Sequence, residues 1–204
     1  MAGNRRFRED PSAQSWAFQG PRLAEMATGQ RPYAAVLGCS DSRVPIEVVF
    51  GQGPGQLFVV RVAGNVVAPT QLGSLEFAVR NLGVRMVMVL GHSGCGAVEA
   101  TLTGGVSGAP DYLRALTSRI EAGIEAAIED RSLPSADRLE WAVRLNVEAS
   151  RRQLLEDTAL ASLHADGRLW VAGGVYHIAT GEVEVLNEGS PGGAEPLELE
   201  HRGR

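Results

Sequence analysis

Two cysteines and one histidine stand at the ends of two short apolar runs. Cys39 opens Cys39-Ser40-Asp41-Ser42-Arg43, and His92 and Cys95 bracket His92-Ser93-Gly94-Cys95-Gly96. Two thiols and one imidazole make a three-donor set for a zinc ion, and Asp41 puts a carboxylate beside it. Structural zinc sites usually close with four Cys or His ligands, whereas three leave a position for water or substrate, so the set reads as that of a zinc hydrolase or hydratase. The chain has only these two cysteines, and the competing readings are a disulfide or two inert buried thiols. Their placement in Gly/Ser-rich turns, with a histidine three residues from Cys95, favours metal ligation.

The elements that must position these residues are legible. Tyr33 to Gly38 (YAAVLG) and Met86 to Gly91 (MVMVLG) are unbroken apolar runs, as expected of strands buried on both sheet faces. Each motif follows the carboxyl end of its strand, which is where ligands bind in open α/β sheets. Two neighbouring parallel strands would bring Cys39 near His92 and Cys95.

The rest of the chain narrows the function classes. A chain of 204 residues without a Pro/Gly/Ser-rich linker through its centre suits one domain. Its net charge of −5 and scattered basic residues, with Arg5, Arg6 and Arg8 the one notable cluster, argue against a nucleic-acid surface. No apolar run of about 18 residues suggests a membrane span, and the first residues lack a signal peptide's apolar core. A cytoplasmic location with reduced thiols is the expectation.

Pro21 to Thr28 reads as a short helix closed by Gly29. Leu57 to Arg61 is a second apolar run after the turn residues Gly51 to Gly55. Thr70 to Leu82 has helical period, with Leu72, Leu75, Ala78, Val79 and Leu82 on one face and Gly83 as stop. Ala97 to Thr103 continues the second motif as a helix ended by Gly104-Gly105. Asp111 to Glu129 and Ser135 to Leu163 read as two longer helices, the second with Ser135 and Asp137 as candidate caps after Pro134. Trp141 suits core or interface. Leu169 to Ile178 and Val183 to Leu186 read as a strand pair turning at Thr180-Gly181. From Asn187 onward no apolar face survives, and the tail is expected to be disordered. The expected organisation is an arm over residues 1–20, a zinc-dependent domain over 21–186 and a tail over 187–204.

Cys-Ser-Asp-Ser-Arg-Val-Pro at 39 to 45, Phe-Val-Val-Arg-x-Ala-Gly-Asn at 58 to 65 and Gly-His-Ser-x-Cys-Gly-Ala-Val at 91 to 98 resemble the β-class carbonic anhydrases. The likeness runs from about Pro21 to Leu186. It includes Gln30 in a Gly-Gln-x-Pro lead-in, Gly73 to Ala78, Asn146-Val147 and Gly174-Val175-Tyr176. It implies an α/β fold, an open sheet of about five strands with a parallel core flanked by helices, and homodimers with sites at the interface.

The resemblance makes Cys39, His92 and Cys95 the ligands of one Zn²⁺ per subunit, and Asp41 with Arg43 a carboxylate–guanidinium pair. Two thiolates offset the metal's charge, so a neighbouring acceptor gains value. Asp41 can accept a hydrogen bond from zinc-bound hydroxide while the permanently charged Arg43 keeps it ionised and oriented. The implied reaction is reversible hydration of carbon dioxide to bicarbonate and a proton. Gln30 would reach substrate from the partner subunit, and Phe58, Ala63, Phe77 and the Gly96 backbone would line a small cleft. Phe58 and Phe77 fit core packing equally, and Gln30 fits a surface position.

In part of the family the carboxylate equivalent to Asp41 leaves the arginine and becomes the fourth zinc ligand in a closed state. Members that stabilise it with bicarbonate use a Trp, Arg and Tyr pocket. The matching positions here are Val36, Arg61 and Tyr176, and the missing Trp favours an open site. Val62 also departs from the Asn of many relatives. His164 and His177 suit packed or surface roles, and neither glycine-rich turn has a nucleotide-binding pattern. Two alternatives remain: hydrolysis of COS or CS2 on the same scaffold, and a non-catalytic zinc or redox-sensing module.

Overall fold

The computed structural model describes residues 1–9, 24, 26–105, 108–156 and 158–186. A five-stranded sheet runs in the order β2-β1-β3-β4-β5. The strands are β1 (Ala34–Gly38), β2 (Leu57–Arg61), β3 (Met86–His92), β4 (Trp170–His177) and β5 (Glu182–Val185). The first four are parallel, and β5 turns back antiparallel on β4. Every residue of β1 is buried, and six of the seven in β3, because helices cover both faces and alternation loses its meaning. The sheet matches the fold class expected from the sequence.

Strand alternation divides the core. Ala35, Leu37, Val87 and Val89 face one apolar cluster. It is filled by α3 (Pro69–Asn81), α4 (Gly96–Leu102), α5 (Asp111–Glu129), α6 (Ser135–Leu154) and α7 (Thr158–Ala165). Val36, Met88 and Leu90 face a smaller cluster with Val44, Ile46 and Val49. This second face is closed by α2 (Ile46–Val49) and by α1 (Ala2–Glu9). Helix α6 lies close on the sheet: a Cβ at Gly91 would stand 2.5 Å from Val147 Cγ2.

Several expectations are corrected. The single helix expected over Ser135 to Leu163 is two, α6 and α7. The Leu155 and Glu156 amides bond to carbonyls three residues back, at Arg152 and Gln153, which tightens the last turn and ends the helix. Leu154 and Leu160 are both fully buried, yet six residues apart they would sit on different faces of one continuous helix. The break lets both point inward. Ser135 is the first helical residue rather than the cap. Pro134 holds the cap position, with φ −53° and ψ 148°, and no side chain caps the helix. Strand β3 also runs one residue past the Met86 to Gly91 run, so His92 belongs to the strand itself.

The expected arm carries an element the sequence did not signal. Asn4 of α1 is 4% exposed and donates from Nδ2 to the Val49 and Gly181 carbonyls at 3.0 and 2.8 Å. Its Oδ1 accepts from the Val183 amide at 3.1 Å. One amide thus ties the N-terminus to α2 and β5. Of the helix expected over Pro21 to Thr28, Ala24 and Met26 are helical and Ala27 and Thr28 form a turn, while residues 21–23 and 25 lie outside the described residues. The tail from Asn187 lies outside the described residues. Among the described residues no helix is long and apolar enough to cross a membrane.

Candidate metal centre

Strand β1 hands on to β2 at one side, and β3 lies at the other, so the chain diverges at the carboxyl ends of β1 and β3. In open α/β sheets that divergence opens a crevice for ligands. Gly38 is level with Leu90 in the parallel register, which carries Cys39 and His92 to the same sheet edge. Cys95 follows at the start of α4, in the cap position. The ligand atoms of Cys39, His92 and Cys95 all lie within 4.8 Å of one another, and all three residues are buried.

The donor set suits a tetrahedral cation. The two sulfurs stand 4.0 Å apart as free thiols. Two Zn–S bonds of about 2.3 Å at a tetrahedral angle would put them about 3.8 Å apart. His92 approaches from Nε2, which is buried without a hydrogen-bond partner among the described residues. Its Nδ1 lies 3.1 Å from the Ser93 carbonyl. A ring nitrogen facing a carbonyl oxygen must donate, and this leaves a lone pair on Nε2. The two thiols share a hydrogen bond that holds Cys39 well below the usual thiol range, aided by His92 and two amides and opposed by burial. The same bond, together with burial, pushes Cys95 up.

Asp41 sits at the rim. Arg43 donates from Nε to Oδ1 at 3.0 Å and from Nη2 to Oδ2 at 2.7 Å, and its amide reaches Oδ1 at 2.9 Å. These charge-assisted bonds outweigh burial and hold the Asp41 carboxyl well below the usual carboxylate range. Asp41 Oδ2 is 3.8 Å from His92 Nε2, too far for a hydrogen bond. Arg43 is anchored in turn to the Gly94 carbonyl at 3.1 Å, linking the two motifs.

Other residues hold this arrangement. Arg61 donates to the Cys39 and Asp41 carbonyls at 2.9 and 2.6 Å, so its guanidinium clasps the turn that bears both. Val36 and Tyr176, the other positions matched to an anion pocket, are both buried. The Cys39 sulfur accepts from the Gly64 amide at 3.3 Å and the Asp41 amide at 3.4 Å. Gly64 lies in a short 3-10 turn, Ala63–Asn65, and is anchored through its carbonyl to Asn146 Nδ2 at 2.8 Å. Gly64 and Asn146 surface in the sequence only as motif letters, because a contact that ends on a distant backbone atom leaves no signature in residue spacing.

Of the expected cleft residues, Ala63 and Gly96 adjoin residues of the cluster and Gln30 lies at the other end of β1. Phe58 and Phe77 pair, with ring centroids 6.4 Å apart and tilted 41°, and Phe77 is 47% exposed. Ala63 is half-buried next to Gly64, and Gly96 is exposed next to Cys95. Gln30 is exposed before β1, whereas Cys39 follows the strand's far end. Five strand residues, roughly 17 Å, separate the two ends. His164 bonds the Leu169 carbonyl and His177 bonds Glu184, both away from the cluster.

A profile of the family described as carbonic anhydrase matches residues 34–183. The chain belongs to the carbonic anhydrase family. A carbonic anhydrase of Mycolicibacterium smegmatis is 40% identical over 166 residues, covering 80% of this chain and 79% of the relative. The solved β-carbonic anhydrase CcaA superposes with a TM-score of 0.77 at 28% identity, covering 90% of this chain and 84% of that one. One of two tetrameric β-carbonic anhydrases from Sordaria macrospora superposes at 0.75 and 27% identity, covering 91% and 94%. The β-class resemblance read from the motifs therefore holds for most of the chain, and neither alternative activity is favoured by these matches.

Proposed function

We propose that this carbonic anhydrase holds one zinc ion per subunit on Cys39, His92 and Cys95, and hydrates carbon dioxide reversibly to bicarbonate and a proton. The observation that carries the reading is the convergence of two sulfurs and an unpartnered imidazole nitrogen beside a guanidinium-clamped carboxylate. Two thiols and an imidazole suit zinc among the common divalent metals. When bound, zinc supplies a Lewis acid that brings ionisation of a water into the neutral range and leaves one of four positions open for it.

The chain's own groups do the rest. Asp41, kept ionised by Arg43, can only accept hydrogen bonds, so it takes one from the reacting water and turns a lone pair of that oxygen toward the carbon of CO2. The water oxygen gains a bond to carbon, the C=O electrons move to the carbonyl oxygen, and the displaced proton passes to solvent buffer. Arg43 has a second task, keeping Asp41 from swinging the 3.8 Å gap toward the His92 side of the cluster. The pairing supports an open resting site, with Asp41 as a fourth ligand only when Arg43 lets go.

The substrate cleft is completed by a second copy in this reading. Gln30 is at the wrong end of its own β1 to reach Cys39, so it serves a site only from a partner subunit, alongside Phe58, Ala63, Phe77 and Gly96. A homodimer is the smallest assembly that meets this need, and the Sordaria relative is tetrameric. Thiols kept free for metal fit the reducing cytoplasm.

The test is stopped-flow CO2 hydration by protein of measured zinc content, scanned over about pH 6.5 to 9, which brackets the ionisation of zinc-activated water. Hydration proportional to zinc content supports the reading. Zinc-replete protein that hydrates no CO2 at any of these pH values overturns it.

A further inference from the structure

Asn146 lies on α6, 2% exposed, and touches none of the three candidate ligands by any hydrogen bond in the structure. It nonetheless ends a short relay to one of them. Asn146 Nδ2 donates to the Gly64 carbonyl at 2.8 Å across 82 positions of chain. Gly64 donates from its amide to Cys39 Sγ at 3.3 Å. The backbone between these bonds is unusual: Gly64 has φ 67° and ψ 19°, and Asn65 follows with φ 45°. A left-handed conformation is natural for glycine but costs about 1 kcal/mol or more for Asn65, and such strain persists only where the surroundings fix it. Two contacts do the fixing at Gly64. Asn146 holds its carbonyl, and Ile120 packs against its Cα, with Cδ1 2.6 Å from where a Cβ would project, so a side chain there would have to displace Ile120 as well as adopt a left-handed conformation.

The two sulfurs are served differently. Cys95 sits at the start of α4, where the Ala97 and Val98 amides favour its thiolate although no capping bond forms. Cys39 follows a strand and has no helix behind it. Its amide donors come from its own turn, at Asp41, and from the strained turn at Gly64. An amide hydrogen bond to a thiolate draws charge from the sulfur and fixes its lone pairs in direction, and so governs how it donates to a metal.

We propose that Asn146 is a positioning residue for the metal: by anchoring the Gly64 carbonyl it keeps the Gly64 amide on Cys39 Sγ, and so sets the direction and charge with which that thiolate grips the cation. The inference rests on the zinc-site reading above and adds to it a residue from α6.

Two measurements on the full chain test it. The first compares Asn146→Ala and Asn146→Leu with Val147→Ala, a neighbouring core truncation that leaves the relay intact. Zinc affinity is read by chelator competition, and the thiolate-to-metal charge-transfer band is read in cobalt-substituted protein. Both Asn146 variants are expected to bind zinc about tenfold or more weakly, with the band moved to longer wavelength as the sulfur regains charge. Val147→Ala should keep wild-type affinity and band despite a lower melting temperature. Folded Asn146 variants with wild-type affinity and band, or Val147→Ala shifted as far as they are, overturn the relay.

The second needs no variant and covers failure of those proteins to fold. In 113Cd-substituted wild-type protein, the Gly64 and Asp41 amide protons should both show scalar coupling to the metal through sulfur. Coupling to Asp41 without Gly64 overturns the relay and leaves the metal site standing. A wild-type protein with no thiolate charge-transfer band overturns the metal site and the relay together.

Discussion

Among the described residues a carboxylate, a guanidinium and an imidazole come together at two places, one beside the candidate metal donors and one away from them. At the sheet's carboxyl edge Asp41 is gripped by Arg43 with His92 nearby. On the antiparallel side Glu184 of β5 is gripped by Arg144 of α6 with His177 nearby. The second pair is as good a fork: Nη1 to Oε1 and Nη2 to Oε2, both at 2.7 Å. The difference lies in the imidazoles. His177 Nε2 is 3.0 Å from Glu184 Oε2, and since a carboxylate only accepts, that nitrogen donates and is spent. His92 is fully buried, stands 3.8 Å from Asp41, and keeps its Nε2 lone pair. A carboxylate, a guanidinium and an imidazole thus make a strut when they satisfy one another. They make a reaction site when one nitrogen is withheld and aimed at two sulfurs.

The largest effect should come from removing the withheld donor. His92→Ala or Cys39→Ser is expected to lose bound zinc and CO2 hydration together, with the rate falling to background, by metal analysis and stopped flow on the same samples. His177→Ala should retain both. Loss of activity with full zinc in His92→Ala would show that the histidine is not a ligand.

A smaller effect separates ligation from orientation. Arg43→Ala should keep its zinc, because Arg43 touches no donor atom, but hydration should fall by about 10²-fold or more, the usual worth of an oriented acid–base group. Freed from its clamp, Asp41 has 3.8 Å to cross toward His92 Nε2. Full activity in Arg43→Ala would show that Asp41 needs no clamp and would overturn the role given to the pair.

The two trios also differ in how much of each is visible in sequence. Asp41 and Arg43 are two residues apart in one turn, and that turn follows an apolar run that can only be a buried strand. His92 and Cys95 share a second such turn. Chemistry carried by neighbours in sequence, at the ends of hydrophobic runs, was open to reading, and the parallel sheet that joins the runs follows from their composition. Arg144 and Glu184 are 40 positions apart, one on a helix and one on an edge strand, with nothing local to couple them. The same holds for Asn4, whose partners are 45 to 179 positions away, for Asn146, whose side-chain amide meets a carbonyl 82 positions away, and for Gly64, which acts through its backbone. The break after Leu154 was hidden because leucines continue on both sides of it, and hydrophobicity alone does not record a change of hydrogen-bond spacing.

Removing the outer clamp should cost stability and nothing else. Arg144→Met is expected to leave zinc content and hydration unchanged while lowering stability by about 1 kcal/mol, the upper end for partly exposed pairs. Both side chains keep a third or more of their surface in water, 33% for Arg144 and 40% for Glu184, and solvent screens the attraction. For a chain of this length that corresponds to a melting temperature lower by roughly 3 °C. A variant that also lost activity would tie the outer trio to the site and dissolve the distinction drawn between them.

The smallest effect is the most specific, because it carries a sign. Hydrogen bonds from Arg144, then from His177, depress the Glu184 carboxyl to about 2 from its ordinary 4.5. A group whose pKa is depressed by folding contributes its stability above the unfolded value and gives it up as pH falls through the folded one. The stability difference between wild type and Arg144→Met should therefore be level from neutral pH down to about 5 and shrink between about 4.5 and 2, where Glu184 takes up its proton first in the unfolded chain and last in the folded one that clamps it. Urea melts of the two proteins at each pH measure that difference directly. Metal loss in acid acts on both proteins alike and cancels from the comparison. A difference that stayed level as the pH fell through this range would mean that Arg144 stabilises the fold through its packing rather than through the charge of Glu184.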